Sequence, residues 1–408
     1  MTRRLQFLAA LLLAAMLTAV GCGGGGGSFS GDGDFAGVGS GGTGIDPGGV
    51  GSGGTGIPAA SASGVGSVSG FGSIIVNGVR FDTDTATLQL QDTSELKLGM
   101  TVRVTGQLAA DLVNGTATLV ISAADLRGAM SSVTSGTAFE VASVPVETDP
   151  STVFAGGLGS VADLRAGDQL QVHGLVARGE PLRATRVEKL ATAQPPVVSG
   201  AVEQLDTSAK TFRIAGQVVN YAAADFPGWT VAQLAEGAVV RVRGNAPGQP
   251  LRATTVEQWY PQPLTEGLRL TVAGLVTQFT GFGSLQVDGV AVDGSAAQWT
   301  GNTRSVGVGT SLEVTGEVRD GVLVAGRVKV KHGGGLDPDA AESFSATGPV
   351  GALRSVSDFK VKGQTIDASG ATFVGGTAAD LLNGRKVGVT GARVVNDVLI
   401  ADRVEFLP

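Results

Sequence analysis

Apolar and polar positions alternate along the chain in short bursts, and one burst returns five times. It reads LKLGMTVRVTG at 96–106, LRAGDQLQVHG at 164–174, LAEGAVVRVRG at 234–244, VGVGTSLEVTG at 306–316 and LLNGRKVGVTG at 381–391. The copies lie 68, 70, 72 and 75 residues apart, a period that makes each one part of a folding unit repeated in tandem. The Val-x-Val alternation inside the phrase has the period of a half-buried strand. The stretch before each glycine has room for one or two helical turns, and Gly99, Gly167, Gly237 and Gly384 then fall where positive φ ends a helix.

The rest of the unit is clearest in the first copy. Strands are predicted over 65–71, 73–76 and 79–81, with Asn77-Gly78 as a type I′ hairpin turn. Asp288-Gly289 takes that place in the fourth unit, where Gly281-Phe-Gly-Ser284 repeats Gly70-Phe-Gly-Ser73. A further strand near 87–90 recurs near 152–154, 224–226, 298–300 and 372–374, and a closing strand follows each phrase. The order β-β-β-short α-β-β is that of an OB-like antiparallel barrel, which removes sheet edges by closing the sheet. The expected fold is all-β: five tandem small barrels at 63–127, 128–190, 198–260, 271–332 and 345–408. A unit of this size buries only about 60% of its unfolded surface, so adjacent units are expected to pack on one another.

What precedes the first unit gives the chain an address. Arg3 and Arg4 followed by an apolar run over 5–20 read as an export signal spanning 1–21, too short to cross a bilayer. Leu17-Thr-Ala-Val-Gly21-Cys22 resembles the lipobox of bacterial lipoproteins, with Ala19 where Leu is usual. Cys22, the only cysteine, is then the lipidated first residue of the mature protein, and no internal disulfide can form. Gly23 after that cysteine favours the outer membrane in a cell with two membranes. From 22 to 62 the chain reads as a disordered linker, half glycine between 23 and 58, which holds the first unit on average ~30 to 36 Å from the anchor.

GTGI in the linker, GFGSIIVNGVRFDT at 70–83, and the Leu-x-x-Gly, Val-x-Val-x-Gly and Arg-Ala-Thr-x-Val elements of later units carry a family likeness. In them the chain resembles the bacterial lipoprotein domain of unknown function numbered 5666. The resemblance implies an exported, often lipidated, tandem-repeat protein; it implies no activity, catalytic residue or cofactor.

Side-chain chemistry narrows the function further. A formal net charge of −7 argues against nucleic acid, whose partners need a basic stripe. His173 and His332 sit in different units without a cysteine partner, so no zinc set assembles; alternation with Val172 puts His173 on the outer face of its strand. Asp82-Thr-Asp84, Asp32-Gly-Asp34 and Asp337-Pro-Asp339 lack the rest of a calcium loop and read as turn carboxylates. Two Gly-x-Gly-x-x-Gly matches lie in the linker, outside any strand-to-helix context. No nucleophile motif is present, and neither catalytic nor metal-binding residues nor a cofactor are expected.

Phe154, Phe226, Trp299 and Phe373 recur at one position of the unit, as core residues would. Trp229, Trp259 and Tyr260 do not recur, which makes them the candidate ligand contacts, against plain packing at the joint of the third and fourth units. The expected function is a non-enzymatic, lipid-anchored envelope protein: a binding or structural array whose partner is a glycan or another envelope protein. The rival is an envelope hydrolase with its site at a joint between units. An integral outer-membrane barrel is disfavoured by an aromatic content of 5%.

Overall fold

Every unit of the chain is built from strands joined by tight turns, and the same ladder of pairings recurs from one unit to the next. The computed structural model describes residues 60–176, 180–262, 264–287, 289–332 and 343–408. The export signal, Cys22, most of the linker and the joint from 333 to 342 lie outside the described residues. The only helical elements described are three-residue 3-10 turns such as Val161–Asp163 and Ala378–Asp380.

In the first unit, β1 (Ala60–Phe71) pairs with β2 (Ile74–Val76), and β2 with β3 (Val79–Asp82). β3 then runs parallel to the start of β6 (Asn114–Ser122), β6 pairs with β5 (Thr101–Leu108), and β5 returns to β1. β4 (Thr87–Leu90) lies parallel to the far end of β6. The other four stretches repeat this cycle, including the parallel closure, as between Val292 and Leu323 in the fourth and Thr365 and Val398 in the fifth. The hairpin between β2 and β3 turns on Asn77 (φ 53) and Gly78 (φ 70), the two positive φ values of a type I′ turn. Asp288 of the fourth unit's hairpin lies outside the described residues.

The repeated phrase has a different local role from the helix stop expected of it. Its first glycine is the third residue of a four-residue turn, closed by Met100 N–H to the Lys97 carbonyl at 3.2 Å and by the equivalent bond in all four later copies. Gly99, Gly167, Gly237, Gly309 and Gly384 have φ between 77 and 89, the conformation a type II turn needs there. The short helical turn ends earlier, at a leucine already in extended backbone. Each turn is clipped to the unit's first strand by two bonds; in the first unit Gly99 N–H donates to Val68 O (2.8 Å) and Val68 N–H to Met100 O (2.9 Å). The second glycine meets a different constraint. At Gly106, Gly316 and Gly391 an added Cβ would run into a carbonyl oxygen of the neighbouring strand, belonging to Thr116, Val324 and Ile400.

These two constraints predict different losses. Gly384→Ala, at φ 87 with open space around it, should cost about 1–2 kcal/mol of left-handed strain. Gly391→Ala must push backbone aside against the Ile400 carbonyl, and its thermal midpoint should fall further. A Gly391→Ala midpoint at or above that of Gly384→Ala would refute the assignment.

The units do not stack in chain order. β1 pairs in parallel with β19 (Arg269–Gly281) of the fourth unit through Ala62 and Arg269 to Val65 and Val272. Its other end pairs with β25 (Phe344–Ser355) of the fifth at Gly70 with Ser345 and Phe71 with Ala346. Arg269 and Arg327 of the fourth unit donate to the Leu108 and Leu112 carbonyls at 2.6 and 2.9 Å. The second and third units join through β7 (Leu126–Ser135) and β13 (Val197–Ala201). A hairpin tip of the fifth unit docks on the second, where Asn396 exchanges hydrogen bonds with Phe154 O (3.1 Å) and Gly157 N (2.9 Å). The first unit is therefore the centre of the assembly, and neighbours in space are often distant in sequence.

Candidate functional site

Where the first three units meet, the interior is polar. Asp125, in the short connection just before β7, is 0% exposed. Its Oδ1 accepts from Arg241 Nη2 (2.8 Å) and Trp259 Nε1 (2.7 Å), while Oδ2 accepts from the Thr101 hydroxyl and from Gly174 N–H (2.9 Å). Arg241 also donates to the Ala124 carbonyl at 3.0 Å and lies 4.6 Å from the centre of the Tyr260 ring. Burial pushes the Tyr260 hydroxyl up to about 12, so it stays protonated and donates to Thr101 O at 3.3 Å while accepting from Ala123 N–H at 3.0 Å.

Two further ion clusters flank this centre. Arg243 grips Asp92 with two bonds of 2.9 Å, and Arg127 reaches the same carboxylate. Burial alone would raise the Asp92 pKa, but Arg243, the Ala124 N–H and Arg127 outweigh it and hold the carboxyl well below the usual range. Arg186, fully buried, pairs with Asp397 of the fifth unit at 2.7 Å, and Lys97 of the first joins it at 3.2 Å. Burial works against the Asp397 carboxylate too, and the two cations again win, lowering its pKa.

Of the three aromatics singled out by sequence, the structure brings together two. The Trp259 and Tyr260 rings meet edge to face at 5.1 Å, while Trp229 is in the third unit's core, its Nε1 donating to Val256 O at 2.8 Å. All three are buried with their polar atoms committed, which removes them as open stacking surfaces. Trp259 and Tyr260 do line a cavity of about 240 Å³ beside the fourth unit; their polar ends join the third unit to the first. His173 is a correction: at 1% exposure it lies inside, because the outer face of its strand is covered by the first unit. Its Nδ1 lies 3.2 Å from the Thr101 hydroxyl and its Nε2 meets no protein hydrogen-bond partner. His332 ends the fourth unit's last strand, opposite Ser311. Asp82 accepts from Asp84 N–H at 2.9 Å, as a turn carboxylate does; the other two carboxylate runs are outside the described residues.

Among the described residues the exposed aromatic lies elsewhere. Phe282 of the fourth unit's GFGS loop is 43% exposed, 4.7 Å from the Trp299 ring; Trp299 itself is half-buried against its unit's core. Phe71, its counterpart in the first unit, is half-buried in a larger feature.

That feature is a cleft of about 450 Å³ between the first and fifth units, within the range of about 300–1,000 Å³ typical of ligand sites. Phe71, Ile74, Leu88, Leu90 and Leu96 supply an apolar floor from the first unit. Leu88 is 49% exposed. The facing wall is the hairpin of β26 (Asp358–Val361) and β27 (Gln364–Asp367), which carries Lys360 and Lys362. Gln364 fixes this hairpin by donating to the Asp397 carbonyl at 2.6 Å. Sequence reasoning missed the cleft because its walls are some 270 residues apart in the chain.

Among the described residues no group of three or more His, Cys, Asp or Glu is placed to hold a metal. Every displaced carboxyl, from Asp92 and Asp397 to Asp168, Asp293 and Asp380, is displaced downward by hydrogen bonds or cations. The nearest approach to a reactive cluster is Lys331, whose ammonium burial pulls down against the attraction of Glu313 at 2.7 Å. Ser67, Ser151 and Ser311 share its cavity, but that cavity measures about 30 Å³, room for about one water.

No curated protein matches the chain. A family model described as a domain of unknown function (DUF5666) matches it over residues 65–119, 127–188, 199–257 and 347–405. The fourth unit falls outside the matched segments although its strand pairings repeat those of the other four. With matches over more than half of its length, the chain belongs to the DUF5666 family.

Proposed function

We propose that this protein is a non-enzymatic, lipid-anchored binding array of the cell envelope, in which five OB-like barrels act as one rigid body. The barrel reading is supported by the cycle of pairings that leaves the first strand of each unit and returns to it through a parallel closure. The observation that carries the binding function is the cleft between the first and fifth units. Strand pairing and the Arg186–Asp397–Lys97 cluster fix its two walls relative to each other, and a preorganised cleft loses little entropy when it binds. Against the hydrolase alternative stands the direction of the carboxyl shifts, since a general acid needs a raised pKa.

The address rests on the lipobox-like segment ending in Cys22 and on the glycine-rich stretch after it. Labelled fatty acid should be incorporated by the native protein and lost in Cys22→Ser, which should also shift the protein from the membrane to the soluble fraction. Incorporation that persists in the variant would overturn the anchor. For binding, the purified mature protein would be titrated with envelope glycans and lipids, and Leu88→Asp, at an exposed position in the cleft, should weaken any saturable signal.

A further inference from the structure

The cleft is charged in an uneven way. Its two acidic lining residues, Glu95 and Asp397, are already attended by cations: Lys97 lies 4.0 Å from Glu95 and 3.2 Å from Asp397, and Arg186 binds Asp397 at 2.7 Å. Lys360 and Lys362 are exposed on the facing hairpin, and neither makes an ion pair among the described residues. Lys362 (φ 50) and Gly363 (φ 86) form the hairpin turn, so the two ammonium groups are carried on a tight, pinned tip instead of a loose loop. In a protein of net charge −7, two unpaired cations beside a contiguous apolar floor are a local inversion of the surface character.

We propose that this cleft binds an anionic amphiphile, its acidic group held by Lys360 and Lys362 and its apolar part laid on Leu88, Leu90, Phe71 and Ile74. The assignment rests on the reading of the cleft as the binding site. Charge complementarity selects the acid: a neutral apolar ligand would leave both cations unused, and a cationic one would be repelled. The floor selects the amphiphile, because a free phosphate or sulfate would gain nothing from a leucine that is half exposed. An open, two-walled cleft of this volume takes one chain or a small ring system, well short of the roughly 800 Å² per partner of a stable protein interface.

The test uses two fluorescent probes on the purified mature protein: 1-anilinonaphthalene-8-sulfonate, which is anionic, and N-phenyl-1-naphthylamine, its neutral analogue. The anionic probe should bind saturably. Combining Lys360→Gln with Lys362→Gln should weaken it about fivefold to tenfold, the worth of two exposed charge contacts, and leave the neutral probe unchanged. Leu88→Asp should weaken both probes, and unchanged thermal midpoints show that the variants are folded. If the lysine variant binds the anionic probe as tightly as the native protein while Leu88→Asp does not, the ligand class is wrong and the cleft reading survives; if neither probe binds, both fall. Sedimentation with phosphatidylglycerol and phosphatidylcholine vesicles, using the Cys22→Ser protein, assigns the source. Lysine-dependent binding to the first vesicle alone makes the ligand a bilayer lipid, whereas probe binding without vesicle binding makes it a free amphiphile; either result supports the shared chemistry.

Discussion

Replacing Asp125 by Ala should destabilise the protein by about 3–5 kcal/mol, the loss that follows when one partner of a buried ion pair is removed. The variant removes the shorter ion pair of Arg241, which is 2% exposed and keeps only Glu257 at 3.5 Å as a carboxylate partner, and takes the acceptor from Trp259 Nε1, the Thr101 hydroxyl and Gly174 N–H. Because those donors come from three units, the loss should appear as uncoupling of the first unit from the second and third, and not as fraying at one end. Asp397→Ala removes a carboxylate whose side chain is 38% exposed, and it should cost clearly less. Urea unfolding of both variants measures the difference. A double variant, Asp125→Leu with Arg241→Met, should lose less than the two single changes summed, since no buried charge is left without a partner. Equal losses for Asp125→Ala and Asp397→Ala would show that the centre at Asp125 does not hold the units together.

Acid should undo the same junction. Burial depresses the His173 pKa from 6.5 to about 4, with Arg186 and Arg241 adding to the effect and Asp125 and Asp92 opposing it. A histidine whose folded pKa lies below its unfolded value stabilises fully above the unfolded pKa, and that stabilisation is lost as pH falls toward the folded one. Between pH 6.5 and about 4 the native protein should therefore lose about 3 kcal/mol. Asp92, held low by Arg243 and Arg127, adds a second loss as pH drops below the ordinary carboxylate range. His173→Gln keeps a polar group near Thr101 and cannot take up the proton, so its urea midpoint should be flat over the first window and fall only in the second. A native protein whose midpoint is the same at pH 7 and pH 4.5 would refute the buried neutral imidazole.

Much of the local structure was legible in the residues. The all-β class, the repeated order of strands and the Asn77-Gly78 hairpin follow from period-two alternation and turn chemistry, which act over a few residues. The glycines of the repeated phrase were correctly singled out, but a helix stop and a type II turn make the same demand for positive φ, and only backbone hydrogen bonds separate them. The outward placement of His173 failed for a related reason. Alternation assigns a face within a unit, and Val172 and His173 are both buried because the strand is covered on both sides. Trp229, Trp259 and Tyr260 stood out because they do not recur, yet a residue that differs between copies can also be the one that joins them. Trp259 and Tyr260 do this at Asp125 and Thr101.

By itself the sequence determined what lies within reach of a strand or a turn: the strands, the demand for positive φ at the first glycine of the repeated phrase and the period of about seventy residues. The tertiary structure alone decided which units touch, because the pairing of Ala62 with Arg269 and of Phe71 with Ala346 joins segments whose separation leaves no local trace. It also decided the burial of Asp125 and His173 and the meeting of Leu88 with Lys360 and Lys362 across the cleft. Those outcomes depend on desolvation by whole units, and burial of that kind is a property of the assembled surface.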